Sequence, residues 1–281
     1  MFKMLNPKRF YHAVGRRKFL EFILLAAFIL FFYGPMINML MLAFANEYQA
    51  PAILPQQWGF KWWSYVFSQK SLVSSITQSF IVAIITTGVS MILCIPAAYS
   101  IARFKYPGRK MFMLSFLLTN AFPKLGIYTS IAVLFYKYNL MGTYTVVVII
   151  HMINSMMFMV WLPSSAFRAV HRQQEEAARD VGAGPIRTFF KVTLPMAMPG
   201  ISVATLYTFL GSMEEAQGTM LVGMAKVQTM PVAMYGIVLD SSAVQIGAVF
   251  AILLIIPSAL MIFAMRKYIG PEAISGGFKM K

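Results

Sequence analysis

Residues that could carry bond chemistry are few and widely separated along the chain. The three histidines, His12, His151 and His171, and the single cysteine, Cys94, have no metal-ligand spacing. The sequence contains no phosphate-cradling G-x4-G-K-[ST] loop, no H-E-x-x-H pair and no G-x-S-x-G elbow. We therefore expect no catalytic residue, no metal site and no cofactor in this chain. A transferase with its site on the loops is left as an alternative.

Two adjacent acids, Glu214 and Glu215, carry the sharpest local hypothesis. They interrupt an apolar stretch that begins near Pro199, and ionisable groups at membrane depth are costly unless they face a watery or protein-lined cavity. We predict that both line a route for a solute; the alternative places both in external water, beyond a span that ends early. Further polar candidates for the same route, each able instead to hydrogen-bond between helices, are Gln78, Asn120, Lys124, Asn154 and Gln217. His151 is interpreted as a helix-packing residue.

These polar residues are carried by a strongly apolar chain. Of its 281 residues 59% are hydrophobic and 12% are charged, and the mean hydropathy is +0.68. A soluble domain has roughly 45–50% apolar and about 25% charged residues. The composition therefore excludes a typical water-soluble enzyme and predicts an all-α, polytopic helix bundle in a membrane.

Apolar runs long enough to cross the hydrocarbon, which takes about 20 residues, occur six times. The third is interrupted by Pro123 and Lys124, and the fifth stops at Glu214. The predicted spans are Phe19–Phe44, Val73–Ala102, Met111–Phe135, Tyr144–Leu162, Pro199–Met213 and Ile246–Met265.

The positions of the cations predict which way the spans point. All but five of the 24 Lys and Arg residues lie before the first predicted span, after the sixth, or in the loops after the second and fourth; the exceptions are Lys61, Lys70, Lys124, Lys137 and Lys226. Short loops rich in Lys and Arg stay in the cytoplasm. This alternation supports six crossings with both termini cytoplasmic, so the net charge of +15 reflects topology and does not indicate nucleic-acid binding.

The predicted cytoplasmic loop of about 164–196 has the pattern of two helices joined by a turn. Good helix formers run from Gln173 to Val181, and Gly182 supplies a helix stop. A second helix is predicted from Ile186 to Thr193, ending at Leu194-Pro195. The two adjacent alanines of the first helix would let it lie close to another protein; an ordinary surface hairpin is the alternative.

The residues of this loop resemble those of a known family. The pattern begins with Glu176-Ala177-Ala178, followed by Gly182 after three residues, Val192 after nine more and Leu194-Pro195 after one more. It resembles the EAA loop of permease subunits of binding-protein-dependent ABC importers, with Val192 in place of the usual isoleucine. In that family the loop seats in a cleft of an ATPase subunit. The resemblance implies that the ATPase-coupling residues are Glu175, Glu176, Ala177, Ala178, Asp180, Gly182, Leu194 and Pro195.

Other segments resemble the maltose-type carbohydrate branch of the same family. They are Ala97–Arg103 with Pro107-Gly108-Arg109, Tyr138–Tyr144, and the tail Ile274–Lys279. The resemblance implies that Gly277, Phe278 and Lys279 reach the ATPases. The alternative is that these residues form a flexible basic terminus. Ser212–Ala216 departs from the Trp-Asn-Glu-Phe pattern of the sugar branch, and paired acids are common in polyamine importers. We expect a sugar or polyol and keep a cationic solute as the alternative.

The resemblance implies a type I ABC importer permease fold in a bacterial cytoplasmic (inner) membrane. Residues 1–18 would form a basic cytoplasmic segment, 19–267 the six-span domain and 268–281 a cytoplasmic tail. The implied partners are two ATP-binding subunits, which would hold ATP and Mg, a second permease subunit, an extracytoplasmic solute-binding protein and the lipid bilayer. The chain itself would be no enzyme. A secondary transporter, which would need coupling-ion acids or broken helices in matched halves, is the alternative from another class.

Overall fold

The computed structural model describes residues 16–49, 51–240 and 243–266, and this part of the chain is almost entirely helical. One short antiparallel pair, β1 (Ala45–Glu47) with β2 (Gln57–Trp58), precedes the second helix. The helices are α1 Arg16–Ala43, α2 Lys61–Ser68, α3 Lys70–Arg103, α4 Arg109–Ala121, α5 Lys124–Lys137, α6 Tyr144–Ala169, α7 Arg172–Asp180, α8 Pro185–Thr188, α9 Leu194–Glu214, α10 Gln217–Val222, α11 Met230–Asp240 and α12 Val244–Met265. The predicted all-α bundle is confirmed.

Three long helices, α3, α6 and α9, form the centre of the bundle. Each packs against the other two, and Phe167 of α6 and Ile201 of α9 are buried in the cluster that they share with Ala98 of α3. Gly200 allows the closest approach, because a Cβ at this position would lie 2.5 Å from the Cβ of Ala166. Small residues at crossings are how helices pack tightly in a membrane.

Within the part of the chain that the structure describes, five helical segments are long and apolar enough to cross a membrane, and one bent pair makes six if it is a single span. The pair is α4 and α5, which meet at an angle of 102°. The break lies at the predicted interruption: Phe122 is extended, with φ −90° and ψ 152°, as expected for a residue before proline. Pro123 also lacks the N–H that a continuous helix would need.

The predicted end of the second loop helix at Leu194-Pro195 is wrong. The chain runs from α8 through a wide π turn, Phe189–Thr193, directly into α9, and the Leu194 N–H donates to the Phe189 carbonyl five residues earlier. The wide turn displaces the preceding carbonyls and so relieves the clash that Pro195 would make in a regular helix. The fifth predicted span therefore begins well before Pro199. The fourth also extends beyond Leu162, to Ala169.

The basic N-terminal segment before residue 16 and the predicted ATPase-contacting tail, Gly277, Phe278 and Lys279, lie outside the described residues.

Candidate functional site

The first helix of the predicted loop, α7, ends in a complete glycine cap. Gly182 has φ +87°, its N–H donates to the Arg179 carbonyl at 2.8 Å, and the Ala183 N–H donates to the Ala178 carbonyl at 3.0 Å. These two bonds are those of a Schellman motif, which requires a left-handed residue after the helix. The predicted stop at Gly182 is confirmed, and the cap fixes the direction in which the chain returns toward α8.

The outer face of this segment is exposed and partly apolar. We refer to residues 172–193 as the hairpin. Its predicted coupling residues Glu176, Ala177, Asp180 and Gly182 are exposed, and Ala178 is half-buried. Large apolar side chains also face outward, since Val181 is 85% and Ile186 is 76% exposed. Leu194 is half-buried and Pro195 is exposed beyond the turn.

Glu175 differs from its neighbour Glu176 because it is buried. Its Oε1 accepts hydrogen bonds from Arg103 Nη2 and from Thr193 Oγ1, both at 2.8 Å. Arg103 Nη2 also donates to the carbonyl of Val170 at 2.9 Å, and Arg172 Nη2 donates to the carbonyl of Arg103 at 3.3 Å. Glu175 therefore attaches the hairpin to the bundle through its Oε1.

A cleft of about 490 Å³ lies where the hairpin meets the end of α3. Tyr99 forms its inner wall and meets Phe189 edge-on, with ring centroids 4.8 Å apart. The lining residues are Tyr99, Arg103, Phe104, Arg172, Glu175, Glu176, Arg179, Pro185, Ile186, Phe189 and Phe190. Neither Arg103 nor Thr193 was predicted to be a site residue; the only signals were a cation at the end of a span and a hydroxyl before Leu194-Pro195.

A second cavity, also about 490 Å³, gathers most of the predicted pathway residues. It is lined by Asn120, Lys124, Asn154, Phe158, Tyr207, Leu210, Gly211, Glu214 and Glu215. The structure does not bring Gln78 or Gln217 into this lining: Gln78 Oε1 instead accepts the backbone N–H of Gln228 at 2.8 Å, and Gln217 is exposed at the start of α10. Lys124 reaches the cavity because it begins α5, just after the 102° bend.

The two adjacent acids have different surroundings. Glu214 is exposed on the cavity wall. Glu215 is 6% exposed; its Oε2 accepts the hydroxyl of Tyr128 at 3.0 Å and its Oε1 accepts the backbone N–H of Gly218 at 2.8 Å. The structure thus distinguishes the two acids: Glu214 lines the cavity with an exposed side chain, whereas Glu215 joins α5 to the start of α10.

A buried histidine and a stacked aromatic pair are two further features of this region, in which α9 ends at Glu214 and α10 begins at Gln217. The Nδ1 atom of His151 lies 2.7 Å from Ser212 Oγ, and its Nε2 atom lies 2.7 Å from Thr219 Oγ1. These contacts support its interpretation as a helix-packing residue.

Phe158 and Tyr207 stack on the cavity wall with ring centroids 5.2 Å apart and planes at 17°. No sequence pattern marked this stacked pair, because its members come from different helices.

A bundle of long apolar helices, with an open cavity that several polar side chains line and a capped, outward-facing hairpin, is the architecture of a transport permease. The chain belongs to the family described as the inner membrane component of binding-protein-dependent transport systems, which matches residues 94–274. The prediction of an importer permease subunit in a bacterial inner membrane is confirmed.

Relatives and solved structures agree with this family. The chain is 27% identical to the diacetylchitobiose uptake system permease protein NgcG of Streptomyces coelicolor, over 87% of this chain and 83% of that protein. It is 24% identical to the maltodextrin transport system permease protein MdxG of Bacillus subtilis, over 79% and 81% of the two chains. A bacterial ABC transporter involved in import of the acidic polysaccharide alginate matches in fold with a TM-score of 0.72, 19% identity, and coverage of 89% and 95%.

Proposed function

We propose that the chain forms half of a pathway for a sugar or polyol, together with a second permease subunit. An extracytoplasmic binding protein would deliver the solute, and two ATP-binding subunits, holding ATP and Mg, would drive the cycle. The observation that carries the coupling part is the exposed outer face of the hairpin. Ala177, Val181 and Ile186 present small and large apolar groups to solvent, and such groups mark a surface made to be covered by another protein.

The second cavity supports a neutral, hydroxylated solute. Asparagine amides at Asn120 and Asn154 can donate to and accept from hydroxyl groups, and the stacked rings of Phe158 and Tyr207 offer a flat apolar surface. The relatives named for diacetylchitobiose and maltodextrin transport favour the same class.

The cationic alternative loses its main argument in this cavity. A polyamine site was inferred from two adjacent carboxylates, but Glu215 is occupied by Tyr128 and Gly218. Lys124 adds a cation to the same lining. With two carboxylates and Lys124 the lining has a net charge of only one negative unit, so it attracts a positively charged solute weakly.

Co-isolation tests the coupling surface. Tagged chain, co-expressed with the proteins of its transport system, is purified in mild detergent, and the ATP-binding subunits in the eluate are quantified. Ala177→Asp places a charge on the exposed face of α7 and is expected to reduce their recovery strongly. Ala225→Asp is the matched control, because Ala225 is also exposed but lies beyond α10. Recovery that is equal in both variants would contradict the assignment.

Uptake into proteoliposomes tests the solute class. The complete complex with its binding protein is supplied with labelled diacetylchitobiose, maltotriose or spermidine. We expect uptake of a saccharide, and a reduction of that uptake by Tyr207→Leu. Tyr235→Leu is the control, since both tyrosines are 49% exposed but only Tyr207 lines the cavity. Uptake of spermidine alone would establish the cationic alternative.

A further inference from the structure

The buried carboxylate of Glu175 joins parts of the chain that are distant in sequence. Arg103 is the last residue of α3, and Thr193 is the last residue of the π turn that leads into α9. Both donate to the same oxygen, Oε1 of Glu175, at 2.8 Å. Through Arg103 Nη2 the cluster also holds the carbonyl of Val170, which follows α6. One carboxylate in the first turn of α7 thus connects to the ends of all three central helices.

Because this cluster is buried, its hydrogen bonds hold α7 in one orientation relative to the central helices. The side chains of Arg103 and Glu175 are each only 9% exposed, so water cannot readily replace either partner. A buried ion pair adds little to stability compared with apolar residues of similar size, but it specifies one geometry, and removal of one partner leaves an uncompensated charge. By contrast, the Arg17–Glu21 pair on α1 is 93% and 61% exposed and imposes no such constraint.

We propose that Arg103, Glu175 and Thr193 act as positioning residues that clamp α7 to α3 and α9, so that a displacement of the hairpin moves the bundle and changes access to the membrane cavity. This inference rests on the proposed function, in which a partner ATPase contacts the hairpin. It assigns no contact with the ATPase to Glu175; its role is to transmit force inside this chain. Without the clamp, α7 would move while the central helices stay in place.

The test measures ATP hydrolysis and cavity access in the complete complex. In a background in which the single cysteine is replaced, Cys94→Ala, a reporter cysteine is introduced by Leu210→Cys on the cavity wall. The labelling rate of this cysteine by a membrane-impermeant maleimide is compared without nucleotide and with ATP–vanadate. Glu175→Gln keeps the shape of the side chain but removes the ion pair. We expect ATP hydrolysis to persist while the nucleotide-dependent change in labelling falls by about fivefold or more.

Two more variants separate transmission from folding. Arg103→Met with Glu175→Leu replaces the whole buried pair by apolar groups, which restores packing but not the directional bonds; we expect an assembled complex that hydrolyses ATP and does not change cavity access. Thr193→Val removes one donor and is expected to give a smaller loss. Glu21→Gln is the matched control and should behave as the parent does. Normal cavity switching in the double variant or in Glu175→Gln overturns the clamp.

The outcome distinguishes this inference from the proposed function. If the parent complex contains no ATP-binding subunit, or its labelling does not respond to nucleotide, the proposed function fails before any clamp variant is considered. If the parent responds and the double variant responds equally, only the clamp fails.

Discussion

Gly182 is the residue whose backbone most directly shapes the hairpin. Its φ of +87° lies in the left-handed region, and a Cβ at this position would contact nothing within 4 Å. A substitution at this position would therefore cost free energy through backbone strain and not through steric overlap. An L-residue in this region costs roughly 1–2 kcal/mol, and asparagine less than other residues.

We predict that Gly182→Ala weakens the cap by about 1–2 kcal/mol and lowers both the melting temperature of the complex and the recovery of ATP-binding subunits. Gly182→Asn should be milder. Gly184→Ala is the control two residues later, where φ is −65° and a Cβ also meets nothing. Equal effects at positions 182 and 184 would show that the left-handed turn is unimportant.

Substitutions of the two adjacent acids at the end of α9 should differ in their effect on the stability of the chain. Glu215→Gln disturbs bonds to Tyr128 and Gly218, and hydrogen bonds to charged groups contribute roughly 1.5–3 kcal/mol each. We therefore predict that Glu215→Gln lowers the melting temperature of the purified chain. Glu214→Gln should leave that temperature unchanged and alter uptake, because Glu214 faces the cavity. Tyr128→Phe combined with Glu215→Gln should be less destabilising than the sum of the two. The opposite ranking of the two acids would contradict this division.

The sequence could predict the helix breaks at Pro123 and Gly182, but not the helical continuation through Pro195 or the direction in which the polar residues point. Pro123 and Gly182 act through local backbone chemistry, so both breaks were readable from neighbouring residues. Glu175 and Glu176 look alike in sequence, and only the packing of α7 against Arg103 and Thr193 makes one buried and the other exposed. Glu215 is the same case, because its partner Tyr128 lies on another helix.

At the scale of elements, the contact between α6 and α9 sets how closely the central helices pack. Gly200 of α9 faces Ala166 of α6 with no room for a further methyl group. Overpacking of this kind costs typically about 1–3 kcal/mol, because neither backbone can move without disturbing the core around Phe167 and Ile201.

We predict that Gly200→Ala destabilises the chain by about 1–3 kcal/mol, measured as a lower melting temperature in detergent. Gly88→Ala in α3 is the matched control, since it is also helical but a Cβ there meets nothing within 4 Å. It should be neutral or slightly stabilising, because alanine favours helix over glycine. A stable Gly200→Ala variant would mean that α6 and α9 can separate freely.

For the whole molecule, two hydrogen bonds constrain how often the chain crosses the membrane. Arg103 and Glu175 lie 2.8 Å apart, so the end of α3 and the hairpin are on one side and the segment between them crosses an even number of times. Because α6 crosses once, the bent α4–α5 pair must supply the other crossing. The Gly142 N–H donates to the Val222 carbonyl at 2.8 Å, which likewise fits the two crossings of α6 and α9. These contacts therefore favour six crossings among the five or six candidate spans of the described residues.

Six crossings would place the first residue of α1 and the last residue of α12 on the same side, and the cation distribution predicts that this side is the cytoplasm. We predict that a cysteine introduced by Ala225→Cys in the Cys94→Ala background is labelled by an impermeant maleimide on intact spheroplasts. A cysteine introduced by Ala177→Cys should be labelled only after permeabilisation. Both alanines are exposed in this chain, and the chain is expressed without its ATP-binding subunits so that the surface around Ala177 stays accessible to the reagent. Labelling of the Ala177→Cys variant on intact spheroplasts would show that the topology is the opposite one and that the hairpin lies outside the compartment in which ATP is available.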